Sequence, residues 1–192
     1  MPEVSHVRLA VPEQAVLNRI LREGGAQSFP QWLYAEPGAE ARILWWGVRG
    51  MTADLPDEAS DEATAGLFPR PVDDWTDPPR GVIVATVDAE RAAVDLAPFV
   101  GSGWHDIGSD DYLGARCQRL RLGRGALVLA EPATEGYLAA CLARWGEGPV
   151  AVALDGIASA GQNAPHTPLG GTGTWLRLGP GAAPALLFMG AA

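Results

Sequence analysis

Few residues in this chain have side chains suited to chemistry, and the most pointed of them closes a strand. In GALVLAEP (125–132) five apolar residues, Ala126 to Ala130, run into Glu131 and a proline. A strand built to be buried that ends in a carboxylate is either emerging into solvent or aiming that group into a cavity. In an apolar cavity, burial raises a carboxyl pKa and fits it for general acid–base work, so Glu131 is the candidate catalytic residue. There are three histidines. His6 opens an alternating apolar stretch, whereas His105 (GSGWHDIGSDD) and His166 (NAPHTPLGG) stand in loop-like sequence. A catalytic transition-metal site takes about three protein ligands. His6, Glu131 and one loop histidine, His105 first, would supply such a set.

Arginines at 116, 119, 121 and 124 interrupt the strand before Glu131. Guanidinium groups grip carboxylate or phosphate through paired hydrogen bonds, so Arg119 and Arg121 are candidate ligand-binding residues. The same spacing also suits the solvated face of a strand. Cys117 and Cys141 form neither a disulfide framework nor a metal knuckle and read as small buried hydrophobes. PLGGTGTW (168–175) lacks the Lys-Ser/Thr of a phosphate loop and reads as a strand-connecting turn. No G-x-S-x-G elbow or Ser-His-Asp order points to a serine hydrolase.

Three segments share one grammar, a strand followed by a helix. VSHVRLAVPE (4–13) passes into a stretch where Ala15, Leu17, Ile20 and Leu21 keep helical spacing, stopped by Gly24-Gly25. GVIVATVDAE (81–90) leads into ERAAVDLAPFVG, and PVAVALDGIASA (149–160) has the same form in miniature. Each is followed by a pair of strands: WLYAEPGAEARILWWGV, ARCQRLRLGRGALVLAEP and TWLRLGPGAAPALLFMG. In the middle pair Gly123-Arg124-Gly125 marks a hairpin. A four-residue loop sets Leu122 opposite Leu127, Leu120 opposite Leu129 and Gln118 opposite Glu131. Leucines then share one face with Glu131, and Arg119 and Arg121 take the other. PATEGYLAACLARWGEG reads as a connecting helix capped by Thr134, with Leu138, Cys141, Leu142 and Trp145 along one side and Gly146 at its end.

Composition sets the outer limits. The 192 residues suffice for a substantial core, and 47% are apolar. No apolar run approaches a bilayer span, and the first residues lack a secretory pattern, so a cytoplasmic location is expected. All 14 basic residues are arginine, and the net charge is −9, which argues against nucleic-acid partners. Residues 51–79 hold eight acids against one Arg70, together with five of the 16 prolines. That stretch reads as an acidic linker, or as a lid anchored by Phe68 and Trp75. Seven tryptophans are many for this length. Trp32, Trp45, Trp46, Trp104 and Trp175 lie on or beside expected strands, as core or as the lining of a cleft. Trp45 and Trp46 must point to opposite faces of their strand.

Taken together, SHVRLAVPE, LVLAEP and LARWGEGPVAVAL resemble the vicinal oxygen chelate superfamily of glyoxalases, bleomycin-resistance proteins and extradiol dioxygenases. The first resembles that family's opening strand with its His, the second its closing strand with Glu before Pro, the third the link into a following module. The resemblance implies an α+β fold in which repeated βαβββ modules form a cupped mixed sheet. Here these would be a first module at 1–50, the linker or lid at 51–80, a second module with its connecting helix at 81–148, and a reduced third at 149–192. It further implies a cleft holding one divalent metal, with ligands on the first and last strands of each module. His6 and Glu131 fall on such positions, but Val82 and Leu44 or Trp45 fill the other two. If the second and third modules pair instead, Val82, Ala151 and Phe188 stand at ligand positions and only Glu131 remains. The expected function is a glyoxalase-like small-molecule-binding protein with an aromatic-lined cleft, Trp45 and Trp104 included, and a degenerate metal site. The alternative is a metal-dependent lyase, isomerase or dioxygenase using His6, Glu131 and His105. No membrane partner is expected. Three half-units leave one over, which predicts either a homodimer or an extra half capping the cleft.

Overall fold

The protein is described from a computed structural model covering residues 2–23, 30–31, 33–51, 53, 66–72, 78–156, 161–181 and 184–190. The expected small helix after Asp155 and most of the acidic stretch, Trp75 included, lie outside these residues.

Strands β5 (Gly81–Ala85), β6 (His105–Asp110), β7 (Ala115–Leu122) and β8 (Gly125–Pro132), with helix α2 (Ala89–Val100), make one βαβββ unit. Strands β9 (Gly148–Asp155), β10 (Gln162–Ala164), β11 (Gly173–Arg177) and β12 (Ala185–Met189) repeat its strand pattern. They form a single eight-stranded sheet ordered β10-β11-β12-β9-β5-β8-β7-β6, which reads the same from either end. In each half the first strand lies parallel to the last, and β5 meets β9 antiparallel at the centre. The two halves are thus the segments before and after helix α3 (Tyr137–Trp145).

The first fifty residues are wired differently. Strand β1 (Glu3–Val11) is followed by helix α1 (Gln14–Glu23), β2 (Leu33–Pro37) and β3 (Arg42–Arg49), and β4 (Arg70–Pro71) adds two residues. Here β2 and β3 do not pair with each other as the sequence suggested. They flank β1, β2 parallel and β3 antiparallel, in a sheet ordered β2-β1-β3-β4. The α1 crossover brings β2 down beside its own starting strand, and the return strand must then take the free edge.

The hairpin register also differs from expectation. Leu122 faces Gly125, Leu120 faces Leu127, Gln118 faces Leu129 and Arg116 faces Glu131. Gly123, at φ 58°, takes the first position of a two-residue turn, so no four-residue loop is needed. Helix α3 likewise starts later than the Thr134 cap predicts. Gly136, at φ 124°, turns the chain into the helix with no side-chain cap, and Gly146 ends it.

Strand alternation sorts the eight-stranded sheet into two faces. Val82, Val84, Leu120, Leu127, Leu129, Val152 and Phe188 share a core with Leu96 and Phe99 of α2 and with Val7, Leu9 and Trp46 of the smaller sheet. Ile83, Ala85, Cys117, Val128, Ala130, Ala151, Ala153 and Leu187 share a second core with Tyr137, Leu138 and Cys141 of α3. Edge strands β6 and β10 line one cavity on this second side, so the sheet curls toward it. The second face is therefore the inside of the curl. The extra half covers the outside, packed with α2, and does not cap the hollow. Leu67 is buried there and Phe68 meets Phe99 edge-on at 5.8 Å, so the described end of the acidic stretch also packs on the outer side.

Candidate functional site

The inside of the curl is built from residues that alternate with the leucines. On β7 these are Ala115, Cys117, Arg119 and Arg121; on β8, Ala126, Val128 and Ala130. Arg119 stands opposite Val128 and Arg121 opposite Ala126, so each long side chain faces a short one and space is left above the strands. At that end of the hollow lies a cavity of about 560 Å³. Arg80, Arg119, Arg121 and Arg124 surround it, and Ala126, Leu169 and Met189 form its apolar floor. Among the described residues its lining holds four arginines and no carboxylate.

The turn at 167–171 closes one wall. The Thr167 hydroxyl donates to the Gly170 carbonyl at 3.0 Å and the Gly170 amide to the Thr167 carbonyl at 2.9 Å. Gly170 and Gly171 both take positive φ, 89° and 72°. Glycine suits position 170 because of that positive φ, and a Cβ there would lie 3.3 Å from Arg119 Nη1, so the turn sits directly beside the guanidinium. A second cavity of about 500 Å³ adjoins on the far side of Arg119 and Gly170, lined by Asp110, Tyr112, Cys117, Asn163 and His166. Burial pushes the Asp110 carboxyl above its ordinary range even though it accepts the Leu113 amide at 2.8 Å. Burial also raises the Cys117 thiol to about 12, which makes it unreactive.

The arginines differ in how they are engaged. Arg80 is tied to Asp155 at 2.6 Å, and the Arg124 amide donates to Glu3 at 3.2 Å. Arg119 and Arg121 make no ion pair with any described carboxylate. Two guanidinium groups without a described counter-ion, carried on backbone positions about 7 Å apart on one strand face, are an anion receptor in form.

Glu131 sits on the opposite face. Its Oε2 accepts the Ala89 amide at 3.0 Å, at the N-terminus of α2, where Asp88 caps the helix by accepting the Arg91 amide at 2.9 Å. A carboxylate is favoured there by the orphan amides and the helix dipole. His6 is buried in β1 of the smaller sheet, its ring stacked on Tyr34 at 5.4 Å. His105 is exposed on edge strand β6, opposite Arg119. The three candidate metal ligands are thus on three different surfaces. No group of three or more His, Cys, Asp or Glu able to hold a metal occurs among the described residues. Positions facing the hollow on the central strands are Ile83, Ala85, Ala151 and Ala153, which offer no donor at all. The described residues do not fit the divalent metal that the resemblance implied.

None of the described tryptophans lines the cavity. Trp46 lies in the outer core, Trp104 packs against that same core, and Trp175 stacks on Tyr112 at 4.4 Å in the inner one. The Trp45 side chain and Trp32 lie outside the described residues. Sequence reasoning missed Arg80, and it read the glycine turn only as a strand connection, not as a wall of the cavity. Nothing in DPPRG marks the first. The second was visible only as a double glycine whose partner, Arg119, lies some fifty positions away.

Comparison with known proteins agrees with the topology. No family model and no curated protein matches this sequence. Among solved structures, the chain is similar to the trihydroxybiphenyl dioxygenase from dibenzofuran-degrading Sphingomonas wittichii, with TM-score 0.61 and 12% identity over 98% of this chain and 90% of that one. It is similar to a halotolerant catechol dioxygenase, with TM-score 0.60 and 11% identity over 98% and 86%. A triple mutant of 4-hydroxymandelate synthase from Streptomyces coelicolor gives TM-score 0.52 and 11% identity over 98% and 92%. All three are vicinal oxygen chelate proteins. At such identities the likeness concerns architecture. No helix among the described residues is long and apolar enough to cross a membrane. A palindromic, curled sheet of two strand-matched halves, shared with these neighbours over nearly its whole length, gives this chain the fold of the vicinal oxygen chelate superfamily.

Proposed function

We propose that this protein binds a small organic molecule in the hollow of its curled sheet and does so without a metal. The observation that carries the reading is the cavity of about 560 Å³ at the end of the hollow, in the range of small-molecule sites, with an apolar floor and polar groups at its rim. The sequence suggested an aromatic lining. The cavity's own lining instead favours recognition by arginine and aliphatic side chains.

Metal-dependent chemistry, suggested by the two dioxygenases of similar fold, is the competing reading. It is disfavoured by the donor set, because the central strands present alanine and isoleucine where ligands would be needed. The test combines two measurements on the full chain. Tryptophan fluorescence is titrated with a panel of flat small molecules, both neutral and charged, and metal content is measured after purification without chelators. Saturable binding by metal-free protein is expected. A stoichiometric divalent ion lost on His6→Ala, or the absence of any saturable ligand, would overturn the reading.

A further inference from the structure

We infer that the ligand of this hollow is a small organic anion, its carboxylate or phosphate head held between Arg119 and Arg121 and its apolar body resting on Ala126, Leu169 and Met189. This rests on the proposed binding role and specifies its chemistry.

Three observations carry it. The first is the absence of a described counter-ion. In a chain of net charge −9, several guanidinium groups find carboxylates, Arg91 with Glu147, Arg116 with Asp106 and Arg144 with Glu40, while Arg42 and Arg177 rest on aromatic rings. Arg119 and Arg121 have no such described partner although acidic side chains outnumber basic ones. Keeping two like charges together on one strand face is unfavourable unless something anionic joins them. The second is placement. Both line the same cavity, Arg119 half-buried and Arg121 exposed, and a guanidinium–oxyanion contact in a concavity is stronger than on open surface. The third is construction. The Gly170-Gly171 turn packs beside Arg119, where a Cβ at 170 would lie 3.3 Å from its Nη1, and Arg119 and Gly170 together form the wall shared by the two cavities. The volume of about 560 Å³ suits a small ligand.

The same oxyanion chemistry is offered by a carboxylic acid and by a phosphate monoester. Naphthoate, naphthyl phosphate and the neutral naphthyl methanol therefore serve as probes, titrated calorimetrically into the full-length protein at about 50 mM and about 0.5 M salt. At least one anion should bind about tenfold or more tightly than the alcohol, and more weakly at high salt. Whichever anion binds better identifies the head group. Arg119→Ala and Arg121→Ala should each weaken anion binding about tenfold or more and leave the alcohol unchanged. Arg119→Gln, which keeps the side-chain length, provides the same comparison if the alanine variant folds poorly. Equal affinity for acid and alcohol, or anion affinity that persists in the folded double variant, would overturn the anion assignment while leaving a binding hollow in place. No binding by any probe would remove both.

Discussion

Strands β7 and β8 present two faces of one hairpin, and the two have opposite relations to charge. On the outer face Glu131 ends a row of leucines, and its carboxylate is consumed by the Ala89 amide of α2. On the inner face Arg119 and Arg121 stand against Val128 and Ala126, with open volume above and no described counter-ion. The polar groups on one side complete the fold, and those on the other have no described counter-ion. Parity alone separates them, since consecutive residues of one strand serve the two purposes. The lesson is that a carboxylate at the end of an apolar strand is not thereby aimed at a cavity. What decides is which element covers that face.

Substitutions on the two faces should therefore separate stability from binding. Leu129→Ala, in the outer core, should cost about 2–5 kcal/mol by urea denaturation, whereas Arg121→Ala should stay within about 0.5 kcal/mol and lose ligand. Glu147 sharpens the contrast on the α2 side. Burial alone would raise its carboxyl, but hydrogen bonds from Thr86, Val87 and Arg91 outweigh it and hold the group below the ordinary glutamate range. Its contribution is present above about pH 4.3 and is lost as pH falls through the lower folded value. Glu147→Gln should thus destabilise the protein by about 2 kcal/mol at neutral pH, and the gap in melting temperature should close below about pH 4. Glu131→Gln should cost about 1 kcal/mol and shift affinity for naphthoate less than about twofold. A large loss of binding there would break the comparison. The smallest effect is chemical. With its thiol raised to about 12, Cys117 should resist alkylation at pH 8 in the native protein and react on unfolding, as counted by mass spectrometry.

Much of the architecture was legible because hydrophobic period and turn residues are local. The strand–helix grammar at 81–100, the hairpin at 123–125 and the connecting helix with its terminal Gly146 all appear in the structure at or near the expected positions. The exact register did not, because Gly123 shortened the turn to two residues and moved every cross-strand pair. Nor did the wiring of β1, β2 and β3, since local patterns do not say on which side of a strand its neighbours will lie. The site was legible only in part. The sequence isolated Arg119 and Arg121 and gave them a face separate from Glu131. Whether that face meets water or a hollow depends on the curl of the sheet, which brings β6 and β10 to one cavity across more than fifty residues of chain. Long-range closure of that kind leaves no mark in a window of ten residues.

The most direct test of which face is functional is hydrogen–deuterium exchange of the full chain with and without saturating naphthoate. Slower exchange should be confined to 119–126 and 167–172, the segments that carry the arginines and the double-glycine turn. Protection appearing instead around Ala89 and Glu131 would place the ligand on the helix-covered side and contradict the account.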